Sequence, residues 1–354
     1  MAKSIDISTL WDEQTNQLII DVRSPGEFEK GHIPNAINIP LFTNDERAEV
    51  GTIYKQVGKE EALLKGLEFV GPKMAAIVKE VKNKCPNRKL FIHCWRGGQR
   101  SQSVAWLLTT AGFEVSVIKG GYKAYRNYIL KTFTDTKLNM LVLGGRTGCG
   151  KTEILHELEN QEEQLIDLEG LANHKGSAFG AIGEFDQPTV EQFENNLYEV
   201  FRNIDLKKLV WVENESKSIG RVYIPEGFWT QLKEAPLINI EIPLDRRIEN
   251  LVNLYGKYPI EMMKDAFIKI KKRLGGQNLK LAIEALDKND LHTAAAIALK
   301  YYDKSYQYML DNNDTPNIHH LQFGKESNAD IALQLVRYAS DEINLASKTS
   351  NILP

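Results

Sequence analysis

The stretch Cys94-Trp95-Arg96-Gly97-Gly98-Gln99-Arg100-Ser101 puts a thiol, two guanidinium groups, a glycine pair and a hydroxyl within eight residues. An apolar run, residues 89–93, precedes it and reads as a buried strand. Residues 103–108 follow with the apolar density of a helix packed on a sheet. A loop that ends a strand and opens a helix offers backbone N–H groups, and Gly97 and Gly98 free it to turn them inward. Together with the helix N-terminus and Arg100 these groups make an anion cradle. The same positive field stabilises a thiolate, so Cys94 is expected to be an acidic nucleophile. The plainer alternative is a buried, inert thiol in a glycine turn.

A second reactive stretch lies further on. Residues 138–143 read as a buried strand, Gly145-Arg146-Thr147-Gly148-Cys149-Gly150-Lys151-Thr152 follows, and Glu153-Ile154-Leu155 begins a helix. This is a full phosphate-binding P-loop in the strand–loop–helix setting its mechanism requires. Its glycines let backbone N–H groups wrap a di- or triphosphate, Lys151 neutralises the oxygens, and Thr152 can hold Mg²⁺. Cys149 is expected to be a small filler. Asp167 and Glu213 end two further apolar runs, 165–167 and 209–213, where a P-loop domain places its acidic partners. Glu213 in place of an aspartate argues against ordinary Mg²⁺–ATP hydrolysis. After a third run, 237–242, Arg246 or Arg247 is expected either to meet phosphate or to begin a solvated helix.

The elements that must hold these loops point to an α/β protein of two domains, 1–132 and 138–354, divided where periodicity fades over residues 131–137. Residues 18–22 read as a strand and 72–81 as a helix. The charged stretch from Asn44 to Gln56 reads as a long surface connection or binding face. Residues 327–343 read as an amphipathic helix, and the last residues are expected to fray. Lys264, Lys269, Lys271, Lys272 and Arg273 before Gly275-Gly276 form either an RNA-binding patch or the wet face of a helix. Tyr301, Tyr302, Tyr306 and Tyr308 form either core or a base-stacking stripe.

Hydrophobic residues make up 42% and charged residues 26%, as in soluble globular proteins, and no apolar run reaches membrane-span length. A signal-peptide core is absent from the first residues, so a cytoplasmic location is expected. Cys85, Cys94 and Cys149 have no disulfide or metal spacing, which suits a reducing compartment. A net charge of −3 confines any RNA-binding surface to a local patch.

Asp21-Val22-Arg23, Gly31-His32-Ile33-Pro34, the cysteine loop and Val117-Ile118-Lys119-Gly120-Gly121-Tyr122 resemble the rhodanese domain in order and spacing. The resemblance implies sulfur carriage on Cys94 and gives the first two elements, His32 included, a structural role. Five residues separate Cys94 from Arg100, where many sulfur-transferring rhodaneses have four. That wider loop is similar to those of rhodanese-like cysteine phosphatases, which admit a tetrahedral phosphate.

The whole chain resembles the tRNA 2-selenouridine synthase family. The resemblance is carried by the wider loop, residues 46–56, His174-Lys175-Gly176-Ser177-Ala178-Phe179-Gly180 and Glu213-Asn214-Glu215-Ser216-Lys217-Ser218-Ile219-Gly220. It implies a rhodanese-like α/β domain followed by a P-loop NTPase-like parallel-sheet domain with a helical C-terminal part. The implied reaction replaces the sulfur of a wobble 2-thiouridine in the tRNA anticodon arm by selenium. An S-geranyl intermediate is implied, with geranyl diphosphate and selenophosphate as co-substrates and no tightly bound cofactor. On this resemblance the selenophosphate loop, with Cys94 and Arg100 catalytic, takes the phosphate while the thiolate takes up selenium, and the P-loop takes the diphosphate. The alternatives are a cysteine phosphatase tethered to a nucleotide kinase, a sulfurtransferase coupled to nucleotide binding that thiolates tRNA with ATP, and a tRNA-binding adaptor with dead sites.

Overall fold

The computed structural model describes residues 2–11, 17–311 and 317–343. Its contacts divide the chain into two compact units, Met1–Phe133 with Glu194–Glu199, and Thr134–Phe193 with Val200–Pro354. Each carries a parallel sheet with helices, as the α/β reading requires.

In the first unit β1 (Lys3–Ile5), β2 (Leu18–Asp21), β3 (Ile37–Asn38), β4 (Lys89–His93) and β5 (Glu114–Ile118) lie in the order β1-β5-β4-β2-β3. Every pairing is parallel. A central parallel strand is covered on both faces, which is why β4 is a continuous apolar run. Leu90 and Ile92 pack with Ile20, Val104, Leu108 and Val117 in one buried cluster. The sheet thus fixes the C-terminal end of β4, where Cys94 begins the reactive loop.

Residues Asn44–Gln56 form a helix of 13 residues instead of a connection. Thr43 and Glu46 close its N-terminus as a capping box, and none of its residues is fully buried. A helix without a buried stripe has no apolar period to betray it. The helix read over 72–81 spans Met74–Lys84, after a short turn, Gly71–Lys73, that contains Pro72. Helix Gly121–Asp135 runs on through most of the stretch where the sequence loses its periodicity.

Asp21 and Arg23 are the frame of this unit. Both are buried, and the Arg23 guanidinium donates to the Asp21 carboxylate at 2.6 Å and to the Gly31 carbonyl at 2.7 Å. It also lies 3.8 Å over the Tyr122 ring. His32 stacks on Phe28 and bonds the Phe28 carbonyl at 3.0 Å.

In the second unit β6 (Asn139–Gly145), β7 (Gln164–Ile166), β8 (Leu209–Glu213), β11 (Leu237–Glu241) and β12 (Ile318–Gln322) lie in the order β12-β11-β6-β8-β7, all parallel. Between β8 and β11 a small antiparallel hairpin is formed by β9 (Ser218–Ile219) and β10 (Val222–Tyr223). β6 is central, so the P-loop leaves the middle of the sheet at its carboxyl edge, where open α/β sheets bind ligands. Strand β12 has no counterpart in the sequence reading, because Ile-His-His-Leu-Gln is half-exposed and lacks an apolar run.

The helices Ile260–Lys269, Gly276–Asp287 and Leu291–Asp311 gather a second apolar cluster around Phe267, Leu286 and Ala298. In the basic stretch Lys264 pairs with Glu261 and Asp287, and Gly275 at φ +87° stops the chain between two helices. Residues 327–343 begin with the Ser327-capped helix Asn328–Tyr338 and end in the π-helical turn Ala339–Ile343. The tail expected to fray lies outside the described residues. Among the described residues no helix is long and apolar enough to cross a membrane.

Removing Arg23 leaves the Asp21 carboxylate buried without its cation. Arg23→Ala is expected to destabilise this unit by about 3–5 kcal/mol, read as an earlier first transition in chemical denaturation.

Candidate functional sites at two strand ends

The first candidate site grows from the end of β4. Gly97 turns the chain at φ +64°, and helix Gln99–Thr110 starts after Gly98. The carbonyls of Cys94 and Trp95 accept from the Tyr122 and Lys123 N–H groups, both at 2.9 Å, so the start of the next helix clamps the loop from behind. Gly121 makes that clamp fit: at φ +59°, a Cβ there would fall on the Cys94 carbonyl and lie 2.5 Å from Gly97 N.

Cys94 is buried, and its Sγ lies 3.3 Å from Ser101 Oγ. Ser101 also stands 3.1 Å from the Gly98 carbonyl, so its single proton can serve the carbonyl or a thiolate. Trp95, Arg96 and Gln99 are exposed around the loop. Arg100 is held by Glu27, with Nη1 donating to Oε2 at 2.7 Å. Burial works against the charges of both partners, yet their pairing keeps Glu27 below the usual carboxylate range and raises Arg100. Glu27 was not among the residues singled out from sequence. Its signal was the capping box that begins at Ser24. Beside Arg100, a groove of about 560 Å³ has a floor of apolar side chains, Phe42, Leu63 and Leu67 among them, with Arg47, Tyr54, Lys55 and Lys59 also lining it.

The second candidate site grows from the end of β6. Gly148 and Gly150 adopt φ +81° and +84°, and helix Lys151–Glu159 follows at once. Lys151 Nζ donates to the Gly145 carbonyl at 3.1 Å, folded across the loop. Burial alone would lower its pKa, but its surroundings, Cys149, Glu169 and Glu215 first among them, hold it above the ordinary lysine value. Cys149 is buried with its thiol pushed up, which fits a neutral filler.

Carboxylates crowd the other wall. Glu213 is buried and accepts from Glu169 N at 2.6 Å, and burial drives its pKa far upward. Glu215 is pushed up to about 8, by burial first and then by Glu169. The Glu169 carboxylate accepts from Thr152 Oγ1 at 3.1 Å, an oxygen pair of the kind Mg²⁺ takes beside substrate phosphates. Among the described residues no three or more His, Cys, Asp or Glu side chains are grouped to hold a metal. Asp167 is occupied elsewhere, capping helix Leu168–Ala172 through Gly170 N at 2.7 Å.

Arg246 donates to the Gly324 carbonyl and to Asn328, and Arg247 is buried in a two-pronged pair with Asp303 at 2.8 and 2.7 Å. Arg247 also donates to the Thr147 carbonyl at 3.1 Å, bracing the loop. Arg146 points to Gln307 at 3.1 Å. Glu169 and Lys175, both unassigned from sequence, line the P-loop cavity with Tyr302 and Tyr306, while Tyr308 is exposed. Nothing in the apolar pattern marks Glu169 or Lys175, because one sits in a helix of five residues and the other in the irregular stretch after it.

A rhodanese-like domain followed by a P-loop parallel-sheet domain is the class these folds and loops define. Residues 7–128 match the rhodanese-like domain, and residues 138–329 match the tRNA 2-selenouridine synthase AAA domain. The chain belongs to the tRNA 2-selenouridine synthase family. It is 38% identical to the tRNA 2-selenouridine synthase of Sulfurovum sp. (strain NBC37-1), over 84% of this chain and 90% of that one. It is 32% identical to that of Psychromonas ingrahamii (83% and 88% covered) and 35% identical to that of Hydrogenovibrio crunogenus (82% and 89% covered).

Two outcomes follow from these geometries. Gly121→Ala is expected to displace the cysteine loop and slow alkylation of Cys94 by iodoacetamide or abolish its selectivity, with the P-loop unit's ligand binding unchanged. For Glu215 the ordinary carboxyl value is 4.5 and the folded value about 8. Between those pH values the folded chain keeps a proton that the unfolded chain has lost, so this group's contribution to stability falls as pH rises through the window. Glu215→Gln removes that loss. Its melting temperature relative to the parent is expected to be higher at pH 8.5 than at pH 5, measured on ligand-free protein.

Proposed function

We propose that this chain acts on tRNA as a 2-selenouridine synthase, exchanging the C2 sulfur of a wobble 2-thiouridine for selenium through an S-geranyl intermediate. The observation that carries this reading is that each unit ends a parallel strand in its own glycine-turned anion cradle, one built on a thiol and one on a lysine.

A thiocarbonyl sulfur leaves poorly until it is alkylated, so the first step activates what the second removes. The sulfur attacks C1 of geranyl diphosphate, an S–C bond forms, a C–O bond breaks, and uridine N3 loses its proton. Lys151 and the loop amides take up the charge that grows on departing pyrophosphate. The N3 proton can pass to the departing pyrophosphate, whose oxygens gain charge as the C–O bond breaks.

The second step uses Cys94. Selenophosphate already holds selenium at the oxidation level of the product. Transfer of selenium to the cysteine sulfur would leave phosphorus reduced by two electrons. Attack of the thiolate on phosphorus avoids this: an S–P bond forms, the P–Se bond breaks, and hydrogen selenide is released. Selenide adds at C2 and expels geranyl thiol, and water returns Cys94 and phosphate. The five-residue loop suits a tetrahedral phosphorus centre. The groove beside Arg100 supports the tRNA reading, since Arg47, Lys55 and Lys59 offer cations and exposed Tyr54 a stacking face.

Nucleoside mass spectrometry of reacted tRNA separates the two steps. Lys151→Ala is expected to lose geranylation while still converting pre-geranylated tRNA, and Cys94→Ala is expected to stop at the S-geranyl nucleoside. Geranylation intact in Lys151→Ala, or selenouridine formed by Cys94→Ala from pre-geranylated tRNA, would contradict the assignments.

A further inference from the structure

Beside the P-loop cavity lies a second cavity of different character. Its mouth is shared: Thr147, Ser177, Leu251, Tyr255 and Tyr302 line both. Beyond them the walls are hydrocarbon, chiefly Phe179, Met263, Phe267, Leu286 and Ala298 from the loop before helix Val190–Phe201 and from the C-terminal helices. The tyrosine hydroxyls at the mouth stay neutral, since burial raises the pKa of both Tyr255 and Tyr302. Tyr302 Oη is engaged with Ala178 N at 3.1 Å.

Protein cores are close-packed, and a gap among buried side chains forfeits their contacts. A void that opens onto a phosphate-binding loop therefore calls for an occupant. The chemistry of its walls discriminates among P-loop ligands. A nucleobase carries donors and acceptors around its ring, and burying them here would leave them without partners, which costs their full desolvation. A hydrocarbon chain has no such groups and gains from every buried methylene.

We propose that this apolar cavity receives the tail of an isoprenoid diphosphate whose head group sits in the P-loop, and that its width limits the tail to a short chain. The proposal rests on the reading of the P-loop as a diphosphate cradle and adds the part of the site that selects the alkyl group. The space open to the centre of a water-sized sphere is about 60 Å³. At roughly 10–15 Å³ per sphere this admits about four to six methyl-sized groups in file, the scale of one isoprene unit, so a geranyl tail fills it with its outer unit and a longer tail overruns it. Ala294, Ala295 and Ala298 keep one wall low along helix Leu291–Asp311, and larger side chains there would fill the channel.

Binding of inorganic pyrophosphate and of dimethylallyl, geranyl and geranylgeranyl diphosphates, measured by calorimetry on the full chain, tests this. Geranyl diphosphate is expected to bind the parent at least about tenfold more tightly than pyrophosphate, and geranylgeranyl diphosphate less tightly than geranyl. Ala298→Leu, and Ala295→Leu at a half-buried position that folding tolerates more readily, are expected to bring geranyl diphosphate down to the pyrophosphate level. Retained pyrophosphate binding shows that each variant's P-loop is folded. Lys151→Ala is expected to weaken both ligands. Equal affinity of the parent for pyrophosphate and geranyl diphosphate, or full geranyl affinity in both Ala295→Leu and Ala298→Leu, overturns the tail pocket and leaves the diphosphate cradle standing. Failure of the parent to bind pyrophosphate and geranyl diphosphate alike overturns the cradle and the pocket together.

Discussion

Both loops depend on one backbone constraint: a glycine must hold the left-handed region where a buried strand hands over to a helix. Gly97 does this after β4, and Gly148 and Gly150 do it after β6. An L side chain at those positions would be strained, and at Gly121 and Gly148 it would also strike neighbouring backbone. The turn brings the first helical N–H groups and the positive end of the helix dipole to the strand's carboxyl edge. Everything reactive in either unit is placed by that geometry, because Cys94, Ser101, Lys151 and Thr152 all sit within a few residues of the turn.

The two cradles balance charge differently. Around Cys94, the cation Arg100 is held from outside the loop by Glu27, and the frame beneath is the buried Asp21–Arg23 pair. Around Lys151, burial first and then neighbouring carboxylates push Glu213 and Glu215 upward, while Cys149, Glu169 and Glu215 keep the buried lysine charged. A diphosphate arriving there brings negative charge to a wall that already carries too much of it. That wall must then hold protons or accept Mg²⁺ beside Thr152 and Glu169.

The reactive loops were legible because their chemistry needs fixed residue types at fixed spacing along the chain. Cys94 to Arg100, and Gly145 to Thr152, are local patterns that no long-range contact has to complete. The strands beneath them were legible for a related reason, as central parallel strands are continuous apolar runs. What escaped were features made by pairing across distance. Glu27 meets Arg100 from 73 residues away, and the Arg247 guanidinium turns to Asp303 and Thr147 in place of solvent or phosphate. Helix Asn44–Gln56 and strand β12 escaped because neither buries a full apolar stripe. Patterning reports burial, and these elements are held by caps and a parallel neighbour.

In the proposed reaction, alkylation at one cradle must precede selenium transfer at the other. Its most direct test supplies the enzyme with 2-thiouridine tRNA and one co-substrate at a time, following the wobble nucleoside by mass spectrometry. With geranyl diphosphate alone, S-geranyl-2-thiouridine and pyrophosphate are predicted to accumulate together, and later addition of selenophosphate to convert the intermediate to 2-selenouridine. Formation of 2-selenouridine from selenophosphate with geranyl diphosphate omitted would contradict the account.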